Sequence, residues 1–245
     1  MNRHFLRFGI VTLMMCAVFT GCKKADVAAT TADPQLTFAL APDNPVVTFA
    51  AAKPSGTGAT TTLTTTPTKQ AFSWYAGTAN ITNFRLNSKR GDIATIYSSG
   101  ALTNVDLFSL ASLFSTISIP KGDYTAAKVA VVFSQVTAAP YPMVLLGTYT
   151  TGAGTTVPVE FDMNDNLEIS VTLANIIADG TKDFTTNIAM HLNVFLNTIA
   201  PADIDAAART NGIILINKTI NVPLYNKIKA NMLICGAAAL TSKSK

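Results

Sequence analysis

The chain has 245 residues, of which 49% are apolar and 13% are charged. That length allows one large domain or two small ones with a sizeable core, and the composition excludes a highly charged disordered chain. The formal net charge of +4 falls to +2 without Arg3 and Arg7, which lie in a segment that we expect to be removed. So small an excess gives no support for nucleic-acid binding, and three cysteines exclude a disulfide-dense scaffold.

Residues 1–21 have the pattern of a secretory signal peptide. Arg3 and Arg7 form a basic region, and the apolar stretch Phe8–Phe19 that follows is too short to span a bilayer, which needs about 20 residues of helix. The sequence V-F-T-G-C, which ends at Cys22, resembles the lipobox of bacterial lipoproteins. The alternatives are an uncleaved membrane anchor and an ordinary signal peptide followed by a chance cysteine.

The resemblance to a lipobox implies that Cys22 accepts a diacylglycerol and anchors the protein in a membrane. Each buried methylene contributes about 0.8 kcal/mol, so two or three acyl chains anchor stably. Lys23 stands where aspartate retains some Gram-negative lipoproteins at the inner membrane, so the resemblance implies sorting to the outer membrane. The side of that membrane is left open.

The mature chain divides into three parts by composition. Residues 22–35 are small and polar and are predicted to form a lipidated tether. Residues 36–69 hold two strand-like runs, Leu36–Leu40 and Val46–Ala50, before a Thr-rich segment that is typical of a flexible loop. Residues 70–245 are predicted to form a β-sandwich domain. Whether residues 36–52 join its core is left open.

From residue 70 onward, β-branched and aromatic runs alternate with Gly, Pro, Asn and Asp, which is typical of many short strands. The predicted strands are Phe72–Leu86, Asp92–Tyr97, Thr116–Ile119, Lys128–Gln135, Val144–Thr150, Thr156–Asp162, Leu167–Leu173, Thr185–Leu196 and Gly212–Lys218. Hairpins are predicted around the sequences TTGAGTT and MNDN. Short helical segments are predicted at Leu107–Phe114, Pro201–Arg209 and Pro223–Leu233. The fold class is therefore an all-β, antiparallel β-sandwich with one or two short helices.

The densest acidic segment, E-F-D-M-N-D-N-L-E at residues 160–168, gives a weak candidate for a metal site. Asp162, Asn164 and Asn166 have the oxygen spacing that begins an EF-hand loop, but Leu167 and Leu173 stand where that loop needs glycine and glutamate. We favour a turn stabilised by local hydrogen bonds, and we expect no metal and no cofactor.

The other aromatic or reactive residues divide into candidate ligand contacts and residues that we expect to be structural. Tyr141 and Tyr149 are candidate ligand contacts, whereas Trp74, His191 and Cys235 are expected to be structural, with Cys235 buried and inert. No nucleotide-binding, hydrolase or metalloprotease motif is present, and no catalytic residue is predicted.

The stretch Ser73–Gln135 resembles uncharacterised lipoprotein families of Gram-negative bacteria that carry a transthyretin-like or immunoglobulin-like sandwich. The segments that carry the resemblance are ANITNFRL, DIATIYSSG, NVDLFSL and ISIPKGDYTAAKVAVVF. In outline the chain is also similar to fimbrillin-type pilus subunits. It lacks the arginine that fimbrillin maturation needs, since no arginine lies between Cys22 and Arg85.

These observations lead us to expect a non-enzymatic binding or structural module, lipid-anchored at the outer membrane, with a glycan or an envelope protein as its partner. The first alternative is a fimbrillin-like subunit that assembles by strand exchange. The second is a hydrolase that depends on carboxylates.

Overall fold

A computed structural model describes residues 32–49, 69–109, 113–136 and 141–245. Strands there form two sheets, which confirms the predicted all-β sandwich class. The strands are β1 (Gln35–Asp43), β2 (Val47–Thr48), β3 (Ala71–Arg90), β4 (Ile93–Ser98), β5 (Leu102–Asp106), β6 (Leu113–Ser118), β7 (Gly122–Phe133), β8 (Met143–Thr150), β9 (Thr156–Met163), β10 (Leu167–Thr172), β11 (Ile176–Ala178), β12 (Lys182–His191), β13 (Ile214–Ile216) and β14 (Gly236–Ser244). The helices are a 3-10 helix (Leu192–Leu196), α1 (Pro201–Asp205) and α2 (Val222–Met232).

The smaller sheet has the strand order β14-β12-β1-β6. β1 lies inside it, parallel to β12 and antiparallel to β6. Leu36, Phe38 and Leu40 of β1 are buried because alternate residues of a strand point to the same face. The N-terminal run Leu36–Leu40 therefore belongs to the core. A second parallel pair, β9 with β13, occurs in the larger sheet, whose other pairs are antiparallel.

The larger sheet is organised around β3, whose 20 residues are long enough to pair with several strands in succession. β7 pairs with its second half and β8 with its first half. The change of partner occurs at Asn80, whose N–H donates to the Pro142 carbonyl and whose carbonyl accepts from the Ser134 N–H. Because the two groups of one strand residue point to the same edge, β7 and β8 follow each other along one edge of β3.

Aromatic contacts join these layers into one core. The Phe38 ring of β1 stacks on Phe84 of β3 with centroids 5.5 Å apart. On the other half of β3, Trp74 packs against Phe161 of β9, which stacks on Tyr225 of α2 at 5.8 Å. Each such buried side chain contributes about 1.5–3 kcal/mol. β1 thus packs on one half of β3, and α2 packs on β9, which adjoins the other half through β8.

The chain enters the domain at the pole where it also ends. The Lys245 ammonium donates to the carbonyls of Ala32 and Asp33, both at 3.0 Å, and the Gln35 N–H donates to Asp183. β12 runs from this pole over ten residues, or roughly 30 Å, before the 3-10 helix begins. α2 packs on that helix, so the helices lie at the end of β12 away from the entry point.

Several local predictions are wrong. The sequence TTGAGTT forms the predicted hairpin between β8 and β9, but MNDN does not, because β9 and β10 are not neighbours in the sheet. The segment Leu107–Phe114 is not helical in its described residues, since Leu107 and Phe108 lie in a turn and Leu113–Phe114 in β6. Residues 110–112 lie outside the described residues. The strand predicted to reach Leu196 ends at His191, and α1 is shorter than predicted.

Candidate functional site

A cavity on the outer face of β9 contains the acidic residues of the candidate segment. Alternation turns Val159 and Phe161 to the core and Glu160 and Asp162 to the opposite face. The segment 210–216 lies beside that face, because β13 pairs with β9 at the sheet edge and places Leu215 opposite Glu160. The result is a cavity of about 200 Å³, here called the β9 cavity, lined by Glu160, Asp162, Thr210, Asn211, Ile213 and Leu215.

The turn that forms one wall of this cavity is fixed by its backbone. The N–H groups of Thr210 and Ile213 each donate to the other's carbonyl, at 2.9 and 3.0 Å. Asn211 and Gly212 between them are both left-handed, with φ of 54° and 82°. Asn-Gly is the favoured pair for this type of turn. Thr210 and Asn211 are therefore held beside the two carboxyl groups by the backbone alone.

Asp162 is the most unusual polar group in the described part of the protein. It is 5% exposed, and its Oδ1 is buried without a hydrogen-bond partner among the described residues. Burial, and next the charge and hydrogen-bonding contact of Glu160, raise the pKa of Asp162 to about 6. The ionised carboxylate is thus disfavoured in the folded protein.

Asn164 and Asn166 do not share a site with Asp162. The Asn164 Oδ1 accepts from the Lys218 N–H at 2.9 Å, and the Asn166 Oδ1 accepts from the Gln135 N–H at 3.1 Å. Their oxygens bond backbone groups of distant segments, so the predicted turn with local hydrogen bonds is wrong for these two side chains. The predicted set of Asp162, Asn164 and Asn166 is therefore not assembled, and no group of three His, Cys, Asp or Glu side chains in the described ranges is arranged for a metal.

Asp165, in the loop that follows β9, has the opposite environment. Its carboxylate accepts hydrogen bonds from Lys229 at 2.5 Å, Lys218 at 3.0 Å and the Tyr225 hydroxyl at 3.1 Å. The Lys229 and Lys218 contacts lower the pKa of Asp165 to about 2. This cluster ties the loop to α2.

The two tyrosine candidates differ in exposure. Tyr149 is fully buried, and its hydroxyl accepts from Gln70 and donates to Asp205, both at 3.0 Å. Burial and Asp205 raise the pKa of Tyr149 to about 12. A buried ring offers no stacking surface, so the candidate role of Tyr149 as a ligand contact is corrected to a core role. Tyr141 is half-buried, and its carbonyl accepts from Asn80.

The remaining candidates have the structural roles that the sequence predicts. Trp74 and Cys235 are buried, and burial raises the pKa of the Cys235 thiol to about 12, which makes it a poor nucleophile. His191 bonds Asp43 at 2.6 Å across the pair of β12 and β1. Cys22 lies outside the described residues.

A second cavity, of about 320 Å³, lies between α1 and α2 and was not predicted. Ala206, Ala207 and Leu224 contribute its apolar lining, and an ion pair between Lys227 and Asp203 (2.7 Å) contributes to the lining beside them. Its size falls at the lower end of small-ligand sites, which are about 300–1,000 Å³. The alanines after α1 were its sequence signal, since small side chains leave space between helices.

No known protein family, curated protein or solved structure matches this chain. Its function is therefore inferred from its own residues.

Proposed function

We propose that the protein is an outer-membrane-anchored lipoprotein whose β-sandwich is a non-enzymatic binding or structural module of the cell envelope. The observation that carries this proposal is the V-F-T-G-C sequence ending at Cys22, preceded by a basic and an apolar segment. No helix in the described parts of the chain has both the length and the apolar character to cross a membrane. The lipid on Cys22 is therefore proposed as the anchor.

The ends of the β-sandwich support a binding site at the helices. Gln35, the first residue of β1, lies thirteen positions after Cys22 in the sequence. The first described residues, Ala32 and Asp33, contact Lys245, whereas α2 packs on the 3-10 helix that follows the other end of β12. The cavity between α1 and α2 is therefore proposed as the binding site.

The lining of the α1–α2 cavity favours an envelope protein over a glycan as the partner. Apolar side chains, Asn221 and one ion pair line it, and no aromatic ring among the described residues does. Sugar binding by stacking needs an aromatic platform, and Tyr149, the buried candidate, does not supply one. A polypeptide segment with an apolar side chain and a polar neighbour fits the cavity better.

The anchor is tested by Cys22→Ser. We expect the unmodified protein to fractionate with outer membranes and to incorporate labelled palmitate, and the variant to lose both properties. Retention of the variant in the membrane without label would contradict the proposal.

The binding site is tested by Ala206→Trp, which fills the α1–α2 cavity, and the exposed Ala94→Trp on β4 is the matched control. Only Ala206→Trp is expected to abolish crosslinking to an envelope partner.

Assembly by strand exchange is a second candidate, because β1 lies between β6 and β12 rather than at a sheet edge. Withdrawal of β1 would expose the core positions now filled by Leu36, Phe38 and Leu40, and a strand from another subunit would fit there. Unheated denaturing gels of the membrane-extracted protein test this candidate. A heat-sensitive ladder supports exchange, and a single band at the mass of one mature chain before and after boiling excludes it.

The hydrolase alternative receives no support from its best carboxylate pair. Glu160 and Asp162 lie on the same face of β9, close enough for Glu160 to raise the pKa of Asp162. Glycosidase pairs are held farther apart, at about 5 Å or more, to leave room for the sugar and the water.

A further inference from the structure

We propose that the β9 cavity is a calcium-binding site in which Asp162 and Glu160 supply two carboxylates and Thr210 and Asn211 supply neutral oxygens. This set differs from the one that the sequence suggested, since Asn164 and Asn166 are committed elsewhere. The proposal concerns the folded domain alone and is independent of the lipid anchor.

The first argument is the unsatisfied oxygen of Asp162. Asp162 is 5% exposed, its Oδ1 has no hydrogen-bond partner in the described residues, and the residue is among those that line the cavity. A buried polar oxygen without a partner is costly and uncommon in native proteins. Among the described residues, the cavity's other charged lining residue is Glu160, a second carboxylate, and no lysine or arginine lines it. A cation in the cavity gives the Asp162 Oδ1 a partner and reduces the repulsion between the carboxylates of Asp162 and Glu160.

The second argument is the state of the neutral donors. Nearby asparagines use their side chains to hold backbone: Asn164 accepts from Lys218, Asn217 from Thr219 and Ile220, and Asn221 from Ala208. Thr210 and Asn211 line the cavity and are exposed, and their side chains make no hydrogen bond within the described residues, so both are free to bind an ion. The paired backbone bonds of their turn hold them in place.

The donor set selects the ion. All four side chains offer oxygen, and no histidine or cysteine lines the cavity, so zinc and other softer metals are disfavoured. A cavity of about 200 Å³ leaves space for water molecules to complete the six to eight ligands of calcium. Magnesium demands a nearly ideal octahedron, which an irregular set of this kind does not favour. With two carboxylates, a Kd on the order of 10⁻⁴–10⁻³ M is expected.

The test is calorimetric titration of calcium chloride into the full-length protein in detergent, after treatment with a chelator. We expect one calcium per chain and a higher melting temperature with calcium. Asp162→Asn should weaken binding at least about tenfold, because it removes a charged ligand while relieving the buried charge, so that the variant still folds. Asp123→Asn, the same change at an exposed position of β7, should bind as the unmodified protein does.

Two further variants separate the neutral ligands from the charged ones. Asn211→Gly keeps the left-handed turn and Thr210→Val keeps the side-chain shape, and each should weaken calcium binding by about threefold. Magnesium at the same concentrations should bind at least about tenfold more weakly. The proposal would be overturned if no calcium bound at about 10 mM. It would also be overturned if Asp162→Asn bound calcium as tightly as the unmodified protein does. Absence would mean that the two carboxyl groups share a proton instead.

Discussion

The β9 cavity and the loop after β9 hold two aspartates, three positions apart, in opposite environments. Asp162 is buried with an unpartnered Oδ1 beside another carboxylate, and its pKa rises to about 6. Asp165 accepts hydrogen bonds from two lysines and a tyrosine, and its pKa falls to about 2. One acidic segment thus contains Asp165, whose carboxylate stabilises the fold, and Asp162, whose ionised carboxylate destabilises it.

The difference arises from the partners that distant segments supply. α2 and the turn after β13 bring Lys229 and Lys218 to Asp165. The turn at Thr210–Ile213 brings no positively charged side chain to Asp162. Asn80 is a third case, because it is as buried as Asp162 and yet fully bonded: its Nδ2 donates to the Tyr141 carbonyl and its Oδ1 accepts from the Asn104 N–H, both at 2.8 Å.

Removal of the Asn80 side chain should have the largest effect on stability, because this buried side chain makes hydrogen bonds that Asp162 lacks. Asn80→Ala leaves the Asn104 N–H and the Tyr141 carbonyl without partners, which we expect to lower the free energy of unfolding by about 4 kcal/mol. Urea denaturation measures it. Asn83→Ala is the control, because the Asn83 Oδ1 has no partner among the described residues and its loss should cost less. Equal losses would show that pairing at Asn80 is unimportant.

Asp162→Asn should change stability in the opposite direction. A pKa raised from 3.8 to about 6 corresponds to about 3 kcal/mol of unfavourable ionisation, part of which the buried amide retains. At pH 7.5 in a chelator, we expect this variant to be about 2 kcal/mol more stable than the unmodified protein. A less stable variant under these conditions would contradict the account of the cavity.

The pH dependence of stability tests the direction of the effect of Asp162→Asn. Glu160 is the charged group that faces Asp162, since the segment 210–215 contributes uncharged residues to the cavity. Well below pH 4 Asp162 is protonated in both states and the variant gains nothing. Between pH 4 and about 6 the unfolded state releases the proton first, so the unmodified protein loses stability as the pH rises. Thermal melts from pH 3.5 to 7.5 should show the two proteins diverging over this window, and a constant difference would contradict it.

Asp165→Asn should have the smallest effect, a loss of about 1 kcal/mol at pH 7.5, because the ion pairs with Lys218 and Lys229 are partly exposed to solvent. A lowered pKa stabilises the fold above the unfolded value near 4, and that stability disappears as the pH falls towards 2. Urea titrations at pH 7.5 and pH 2 should therefore show the loss only at the higher pH. A stabilising effect at pH 7.5 would mean that Asp165 resembles Asp162.

Local patterns in the sequence predicted most of the strands and the fold class. The alternation in Leu167–Leu173 corresponds to β10, and the run Val144–Thr150 to β8. β14 was missed, since its small residues have weak strand propensity and it forms by pairing with β12. The parallel pair of β1 and β12 joins residues 148 positions apart, as at Asp43 and His191, which no local pattern specifies.

The candidate site was only partly predictable for the same reason. Asp162 was found from the acidic segment, but its companions were chosen by closeness along the chain, at Asn164 and Asn166. The structure draws them from the turn at Thr210 and Asn211 and from Glu160 on the same strand. Alternation along β9 and the Asn-Gly pair were readable signals, although nothing in the sequence places that turn beside that strand.

The anchor at Cys22 is the central claim, and mass spectrometry of the N-terminal peptide of the membrane-extracted protein tests it most directly. We predict a mature chain that begins at Cys22 and carries a diacylglyceryl group with an amide-linked acyl chain. A chain that begins elsewhere, or an unmodified Cys22, would contradict the account.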